Sequence, residues 1–401
     1  MLNLIDRPQY LEKLKAWKDK SDLIKVVTGI RRCGKSTLFK LFQNHLKETG
    51  VKDKQILDIN LEEAENEDLL DYKKLHNFVE KNISKNKKNY VFIDEIQLVS
   101  DFPKTINSLR LKENIDLYVT GSNAYMFTPK IITLLSGRFT EIKMNTLSFK
   151  EYSFAFKDEK DLSKLYENYI SDGSFPQILK LSEDKQLIQD YLVGLYNTII
   201  QKDIVLRGEY KDISRLESVV KFIFDNIGNE TSVRNISNSL FSDGRKIHPQ
   251  TIESYLQGLL DSFLIYKAQR YNIKGKQHLQ SNAKYYVADI GLRRALLGTR
   301  EADKSQILEN IVYLELLRRG YRVEVGKIGV QEIDFIASLP GGRVEYYQVS
   351  QNVLDEKTLK RELAPLKAVD DNYPKFLLTR DYDNAIYNGI KQINVLQWLM
   401  D

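Results

Sequence analysis

Residues 29–36 read Gly29-Ile30-Arg31-Arg32-Cys33-Gly34-Lys35-Ser36 and fit the pattern G-x-x-x-x-G-K-[ST] without a gap. Residue types at this spacing suit one kind of chemistry. Glycines let the backbone curl until several N–H groups point at one anion, a lysine reaches the β- and γ-phosphates, and a hydroxyl ligates Mg²⁺. Gly29, Arg31, Gly34, Lys35, Ser36 and Thr37 are therefore the residues expected to hold a nucleoside triphosphate. Of the two arginines, Arg31 is assigned to a phosphate or a neighbouring subunit, and Arg32 to solvent.

Hydrolysis at such a loop also needs carboxylates. The apolar run Tyr90-Val-Phe-Ile93 ends in Asp94-Glu95. A hard cation wants oxygen ligands, which suits Asp94 to Mg²⁺ through water, and an attacking water needs a proton acceptor, which suits Glu95. A third apolar run from Ile115 to Val119 ends in Thr120-Gly121-Ser122-Asn123. Asn123 or Ser122 is the expected contact to the γ-phosphate or the water, with a plain strand-to-loop turn as the open alternative. Arg138 follows the turn Leu134-Leu-Ser-Gly137. From there an arginine can stabilise charge on a neighbour's γ-phosphate, which requires an oligomer; a surface arginine is the alternative.

The elements that must position these groups are legible nearby. Leu23–Val27 reads as a buried strand and Ser36–Leu46 as a helix with an apolar stripe. Strand, glycine loop and helix together set a triphosphate on a helix N-terminus. A chain of 401 residues should hold two or three domains. Its net charge of +5 does not by itself argue for nucleic acid. The one cysteine, Cys33, can make no internal disulfide, so a reducing, cytoplasmic setting is expected. No leader-like segment and no run of about 18 apolar residues is seen, so no membrane partner is expected.

Further along, residues 149–210 are mostly helical in pattern, broken at Asp172-Gly-Ser-Phe-Pro176, and suit a lid beside the nucleotide. Helices are expected at 216–227, 232–240 and 248–260, then strands at 265–271 and 284–288 joined by a basic linker. Three helices and a basic wing make a winged helix, with its third helix and wing against DNA. The contacts would be Arg245, Lys246, Gln250, Lys274 and Lys276. Glu253 on the third helix leaves a lid or protein-docking role open.

The segments GIRRCGKSTL, VFIDEIQ, TGSN and LLSGR resemble a large family of poorly characterised prokaryotic AAA+-type ATPases. The likeness continues through DGSFP, QKDI, the stretch Leu308–Gly320, EIDF and YQVS, and so spans nearly the whole chain. It implies ATP binding, ATP hydrolysis and a RecA-like three-layer core, but no agreed cellular role. Ile30 departs from the family's commoner loop, where proline is usual. From Gln306 onward the pattern resembles the restriction-endonuclease-like fold, with an acid, then D, then (E/Q)-x-K. In that fold the acids hold Mg²⁺ and the lysine orients water. The matching residues are Glu309, Asp334 and Gln348, but Ser350 stands where the lysine belongs. Lys357 or Lys360 could replace it from the next helix; otherwise the domain is a degenerate one used for binding or assembly.

The expectation is thus an α/β chain: a RecA/AAA+-like P-loop core (1–150), a helical lid (151–213), a winged helix (214–300) and a C-terminal α/β endonuclease-like domain (301–401). The expected function is an ATP-driven switch or motor acting on DNA or a protein partner. An ATP-gated, Mg²⁺-dependent nuclease is the alternative. A module that holds ATP without turnover has no use for Glu95.

Overall fold

The computed structural model describes residues 5–124, 129–135, 137–181, 184–242, 244, 247–298, 303–382 and 384–401. The chain divides into two compact units, Met1–Thr146 with Asp261–Phe263, and Leu147–Leu260 with Leu264–Asp401.

The first unit is built from α1 (Pro8–Ala16), β1 (Ile24–Thr28), α2 (Lys35–Glu48), β2 (Ile56–Asn60), α3 (Tyr72–Asn82), β3 (Asn89–Asp94), α4 (Phe102–Arg110), β4 (Ile115–Gly121), α5 (Pro129–Leu135) and β5 (Phe139–Lys143). Its sheet has the order β2-β3-β4-β1-β5, and every pair is parallel. A parallel sheet is covered on both faces, so its inner strands read as continuous apolar runs. On one face Phe39 and Phe42 of α2 meet Phe92 and Tyr118. On the other, Val91, Ile93, Leu117 and Val119 share a core with Leu75, Val79, Ile106 and Leu109 of α3 and α4. The topology decides the site. Because β4 lies between β1 and β3, with Val27 beside Thr120 and Ile93 beside Val119, the carboxyl end of β4 separates the glycine loop from Asp94. A charged break in the apolar pattern lies at the opposite end, where Lys25 forms a fully buried ion pair with Asp116.

The second unit opens with α6 (Phe149–Ala155), α7 (Leu162–Asp172) and α8 (Lys185–Thr198), which continues as a π-helical turn, Ile199–Val205, into α9 (Leu206–Gly208). Next come α10 (Ile213–Asp225), α11 (Val233–Ser242), α12 (Pro249–Asp261), β6 (Ile265–Asn272) and β7 (Gln277–Val287). The remainder is α13 (Ile290–Leu297), α14 (Lys304–Arg318), β8 (Arg322–Ile328), β9 (Gln331–Ser338), β10 (Val344–Ser350), α15 (Glu356–Lys367), β11 (Lys375–Thr379), β12 (Ile386–Tyr387), β13 (Ile390–Asn394) and α16 (Val395–Met400). One eight-stranded sheet runs through it in the order β12-β13-β11-β10-β9-β8-β6-β7.

Three helices and two strands thus stand in the order the sequence suggests for 216–288, with one difference. The second strand begins at Gln277 rather than Lys284, and the β6–β7 hairpin is no isolated wing. Arg270, Tyr271 and Asn272 of β6 pair in parallel with Val325, Gly326 and Lys327 of β8. A boundary at residue 300 would therefore fall between strands of one sheet. Beneath this sheet Ile333, Tyr346, Leu363, Leu366, Leu377 and Ile390 form a core. Among the described residues, no helix is long and apolar enough to cross a membrane.

Candidate functional site

The glycine loop joins β1 to α2, and its backbone explains its composition. Gly29 has φ +150°, and a Cβ there would fall onto the carbonyl oxygen of Met144. Gly34 caps α2 in the left-handed region at φ +107°, where a side chain is strained. Arg7, only 2% exposed, braces the loop from outside. Its guanidinium donates to the carbonyls of Cys33 (3.1 Å), Asn145 (2.8 Å) and Thr146 (3.3 Å). Nothing in the spacing of the motif announces Arg7.

The Lys35 ammonium is buried and donates to Gly29 O (3.1 Å) and Ile30 O (3.4 Å), carbonyls of its own loop. It also lies 3.7 Å from Glu95 Oε1. Ser36 Oγ donates to Asp94 Oδ2, and Thr120 Oγ1 donates to Asp94 Oδ1. Thr120 Oγ1 in turn accepts the Glu95 N–H at 2.9 Å. Glu95 takes a left-handed backbone at φ +57°, which costs about 1–2 kcal/mol for a non-glycine residue. That turn brings its carboxylate back toward Lys35. Gln97 Nε2 then donates both to Glu95 Oε2 and to Ser122 Oγ.

These contacts set the charge states. Burial works to raise the Glu95 carboxyl, but the Lys35 charge, the Gln97 bond and the Arg31 charge outweigh it and hold the group below the ordinary glutamate value. Burial dominates at Asp94 and raises its carboxyl, against the Ser36 and Thr120 hydroxyls. A divalent cation between Ser36 and Asp94 would reverse that, since a bound cation is the largest local charge in a site. Hydroxyl and carboxylate oxygens already in contact are the donor set Mg²⁺ prefers.

The sequence-expected residues fall as follows. Gly29, Gly34, Lys35, Ser36, Asp94 and Glu95 converge. Arg31 pairs with Glu62 at 2.9 Å on the loop's flank. Thr37 is half-buried on the first turn of α2, and Asn123 is buried just beyond β4. Thr120 and Gln97 were not singled out from sequence. Their signal is weak, because a threonine at a strand end and a glutamine after an acidic pair are common. Arg138 is exposed at the start of β5, where its carbonyl accepts the Ile24 N–H at 3.0 Å. That is the end of the sheet away from the glycine loop, a strand length of roughly 16 Å. Within its own chain it does not join the site.

A second constellation lies in the other unit. Glu309 of α14, Asp334 of β9 and Gln348 of β10 do come together, but their bonds are made within the protein. Gln348 donates to Glu362 at 3.0 Å and accepts the Asp334 N–H at 3.4 Å, while Asp334 Oδ2 accepts the Val349 N–H at 2.8 Å. The lysine expected from the following helix is absent from this place: Lys360 pairs with Glu356 and Lys357 is exposed. The cation that enters is Lys284 of β7, 2.9 Å from Glu309 and 2.7 Å from Glu332. Arg361 makes a local ion pair with Glu362 at 2.7 Å. Among the described residues, no group of three or more His, Cys, Asp or Glu could hold a metal ion. Of the expected DNA contacts, Lys274 and Lys276 are exposed in the β6–β7 turn and Gln250 on the first turn of α12. Arg245 and Lys246 lie outside the described residues.

Residues 21–153 match the family described as an AAA domain, and residues 163–303 match a Domain of unknown function (DUF8612). An uncharacterized protein of Haemophilus influenzae is 40% identical over 402 residues, covering 99% of this chain and 99% of that protein. An uncharacterized protein of Methanocaldococcus jannaschii is 30% identical over 372 residues, covering 87% of this chain and 79% of that one. Among solved structures, AMPPCP-bound DnaA from Aquifex aeolicus aligns with 64% of this chain and 92% of that chain at 11% identity. Its TM-score of 0.32 is too low to carry an argument.

Proposed function

The chain belongs to one family with its Haemophilus relative and carries an AAA domain over residues 21–153, and from that premise we propose that it hydrolyses ATP, as a switch or motor acting on DNA or a protein partner. One observation carries the reading. The Lys35 ammonium, the Ser36–Asp94 pair and the Glu95 carboxylate meet at the carboxyl ends of β1 and β3, with Glu95 held ionised. A triphosphate on the loop takes the Lys35 ammonium from the carbonyls of Gly29 and Ile30. Ser36 and Asp94 would hold Mg²⁺, which when bound neutralises charge on the β- and γ-phosphates. Glu95 accepts the proton of the attacking water, and Gln97 and Ser122 fix its carboxylate. Asn123 is proposed to contact the γ-phosphate or that water. Arg138, remote from its own loop, is proposed to serve a neighbouring copy in an oligomer.

The partner-binding part of the proposal rests on less. The lysines exposed at the β6–β7 turn suit sequence-independent phosphate contacts. The nuclease alternative has the meeting of Glu309, Asp334 and Gln348 in its favour, but the ammonium of Lys284 already held by Glu309 weighs against it. A cytoplasmic setting is part of the proposal and rests on the single cysteine.

The test is nucleotide binding and turnover in three proteins. Lys35→Ala should lose ATP binding. Glu95→Gln should bind ATP while turnover falls about 10²–10⁴-fold, the usual share of a general base. Turnover by Glu95→Gln equal to that of the unaltered chain would remove Glu95 from the role of base.

A further inference from the structure

The fold that the residues from Gln306 onward resemble places a divalent cation among its acids, and this chain's residues do not fit one. We infer that the ammonium of Lys284 occupies the position a divalent metal would take, so that the acidic site of the second unit is a metal-free cluster bridged by one lysine.

The argument begins with where Lys284 comes from. It sits on β7, the edge strand of the sheet, and its side chain is carried inward under α14. It is buried, with 4% of its surface exposed. Its Nζ lies 2.9 Å from Glu309 Oε1 and 2.7 Å from Glu332 Oε1, while burial and the Glu309 charge push the nearby Asp334 carboxyl well above its ordinary value. The same Glu309 oxygen also accepts the Tyr286 hydroxyl at 2.7 Å. Tyr286 stacks on Tyr313 at 4.2 Å, and both rings lie against Phe335. An apolar wall of this kind excludes water and strengthens the ion pairs above it. Burial alone would lower the lysine, but the neighbouring carboxylates outweigh it and raise it well above its ordinary value.

The neighbouring polar atoms are largely engaged. Gln348 donates to Glu362 and accepts the Asp334 N–H, and Asp334 Oδ2 accepts the Val349 N–H. A magnesium ion needs oxygen ligands at about 2.0–2.1 Å. Placed on Glu309 and Glu332, it would lie against the Lys284 ammonium, and repulsion between the two cations would expel one of them. The covalently tethered one stays. The cluster then has a structural consequence. It ties the β6–β7 hairpin to α14 through Glu309 and to β9 through Glu332. This conclusion does not depend on the ATPase reading.

Mn²⁺ reports the site through its paramagnetic resonance, whose free-ion signal falls on binding. The measurement uses the full-length chain without nucleotide, in an Asp94→Asn background that silences the other unit. The chain with Lys284 intact should leave millimolar Mn²⁺ free. Lys284→Met, or Lys284→Gln should the first not fold, should gain one bound Mn²⁺, and Glu309→Gln added to it should abolish the gain. Two results would overturn the inference: Mn²⁺ uptake by the Lys284-bearing chain that Glu309→Gln removes, or a folded Lys284 variant that binds none. Should neither variant fold, the Lys284-bearing chain decides alone, uptake lost with Glu309→Gln overturning the inference and no uptake sustaining it.

Discussion

Glu345 shows what a single buried carboxylate does in this protein. It is 1% exposed, yet it accepts hydrogen bonds from Tyr347 (2.6 Å), Tyr321 (2.7 Å) and both Nε (2.9 Å) and a terminal nitrogen (2.6 Å) of Arg343. Burial works to raise its carboxyl, but the two tyrosine bonds and Arg343 outweigh this and leave it lowered. A lowered carboxylate stabilises the fold above its unfolded value of about 4.3, and that contribution is lost as pH falls through the folded value. Glu345→Gln puts an N–H₂ group among donors, so we expect a loss of about 2–3 kcal/mol at pH 7. The gap to the unaltered protein should narrow as pH falls through the lowered folded value, below which the wild-type carboxylate is itself protonated. Urea denaturation on both sides of that value checks this, and a gap that does not change with pH would rule out the charged form as its source. Residues of this sort mark the limit of reading a sequence. Gly29, Gly34, Lys35 and the pair Asp94-Glu95 were legible because a curled loop and a strand end demand those types locally. Lys25 and Lys284 were not, because the acids that make them tolerable lie 91 and 25 positions away.

At the scale of elements, the turn Asp172-Gly-Ser-Phe-Pro176 acts as a socket for the start of α13. Gly173 has φ +88°, and a Cβ there would lie 2.5 Å from Asp289 Oδ1. A Cβ on Gly291 would lie 2.5 Å from the N and Cα of Gly173 and 2.6 Å from the Asp172 carbonyl. Asp289 caps α13 through the Leu292 N–H at 2.8 Å and accepts both the N–H and the hydroxyl of Ser174 at 2.6 Å. Backbone this close leaves no room for a methyl, so Gly291→Ala should cost about 1–3 kcal/mol. Gly194→Ala is the control. Gly194 lies exposed within α8 with nothing near its Cβ, and the same change there should stabilise by roughly 0.5–1 kcal/mol. Chemical denaturation of both variants decides, and a Gly291→Ala protein as stable as Gly194→Ala would mean the socket is not tight. The sequence marked this turn as special without saying why. It misread the next boundary for a physical reason: Gln277 to Asn282 is polar because β7 is an edge strand, and solvated edges look like linkers. The parallel pairing of β6 with β8 spans some fifty positions and leaves no local periodicity to read.

For the whole molecule, the division into two units makes a thermal prediction. Each unit has its own apolar core, one around Val26, Ile93 and Val119, the other around Ile333, Leu366 and Leu377. Each is also at or above the usual size of an independently folding domain, about 100–150 residues. Calorimetry should therefore resolve two transitions. A ligand that binds only the folded state at a hundred times its Kd adds about 2.7 kcal/mol, and for a unit of this size that raises the midpoint by roughly 5–10 °C. Because the glycine loop, Asp94 and Glu95 all belong to the first unit, ATP with Mg²⁺ should move one transition and leave the other in place. Lys35→Ala should abolish the movement without altering the transition of the second unit. If neither transition responds to ATP, the nucleotide reading is wrong. If a single transition shifts as one, the reading survives and the units melt together.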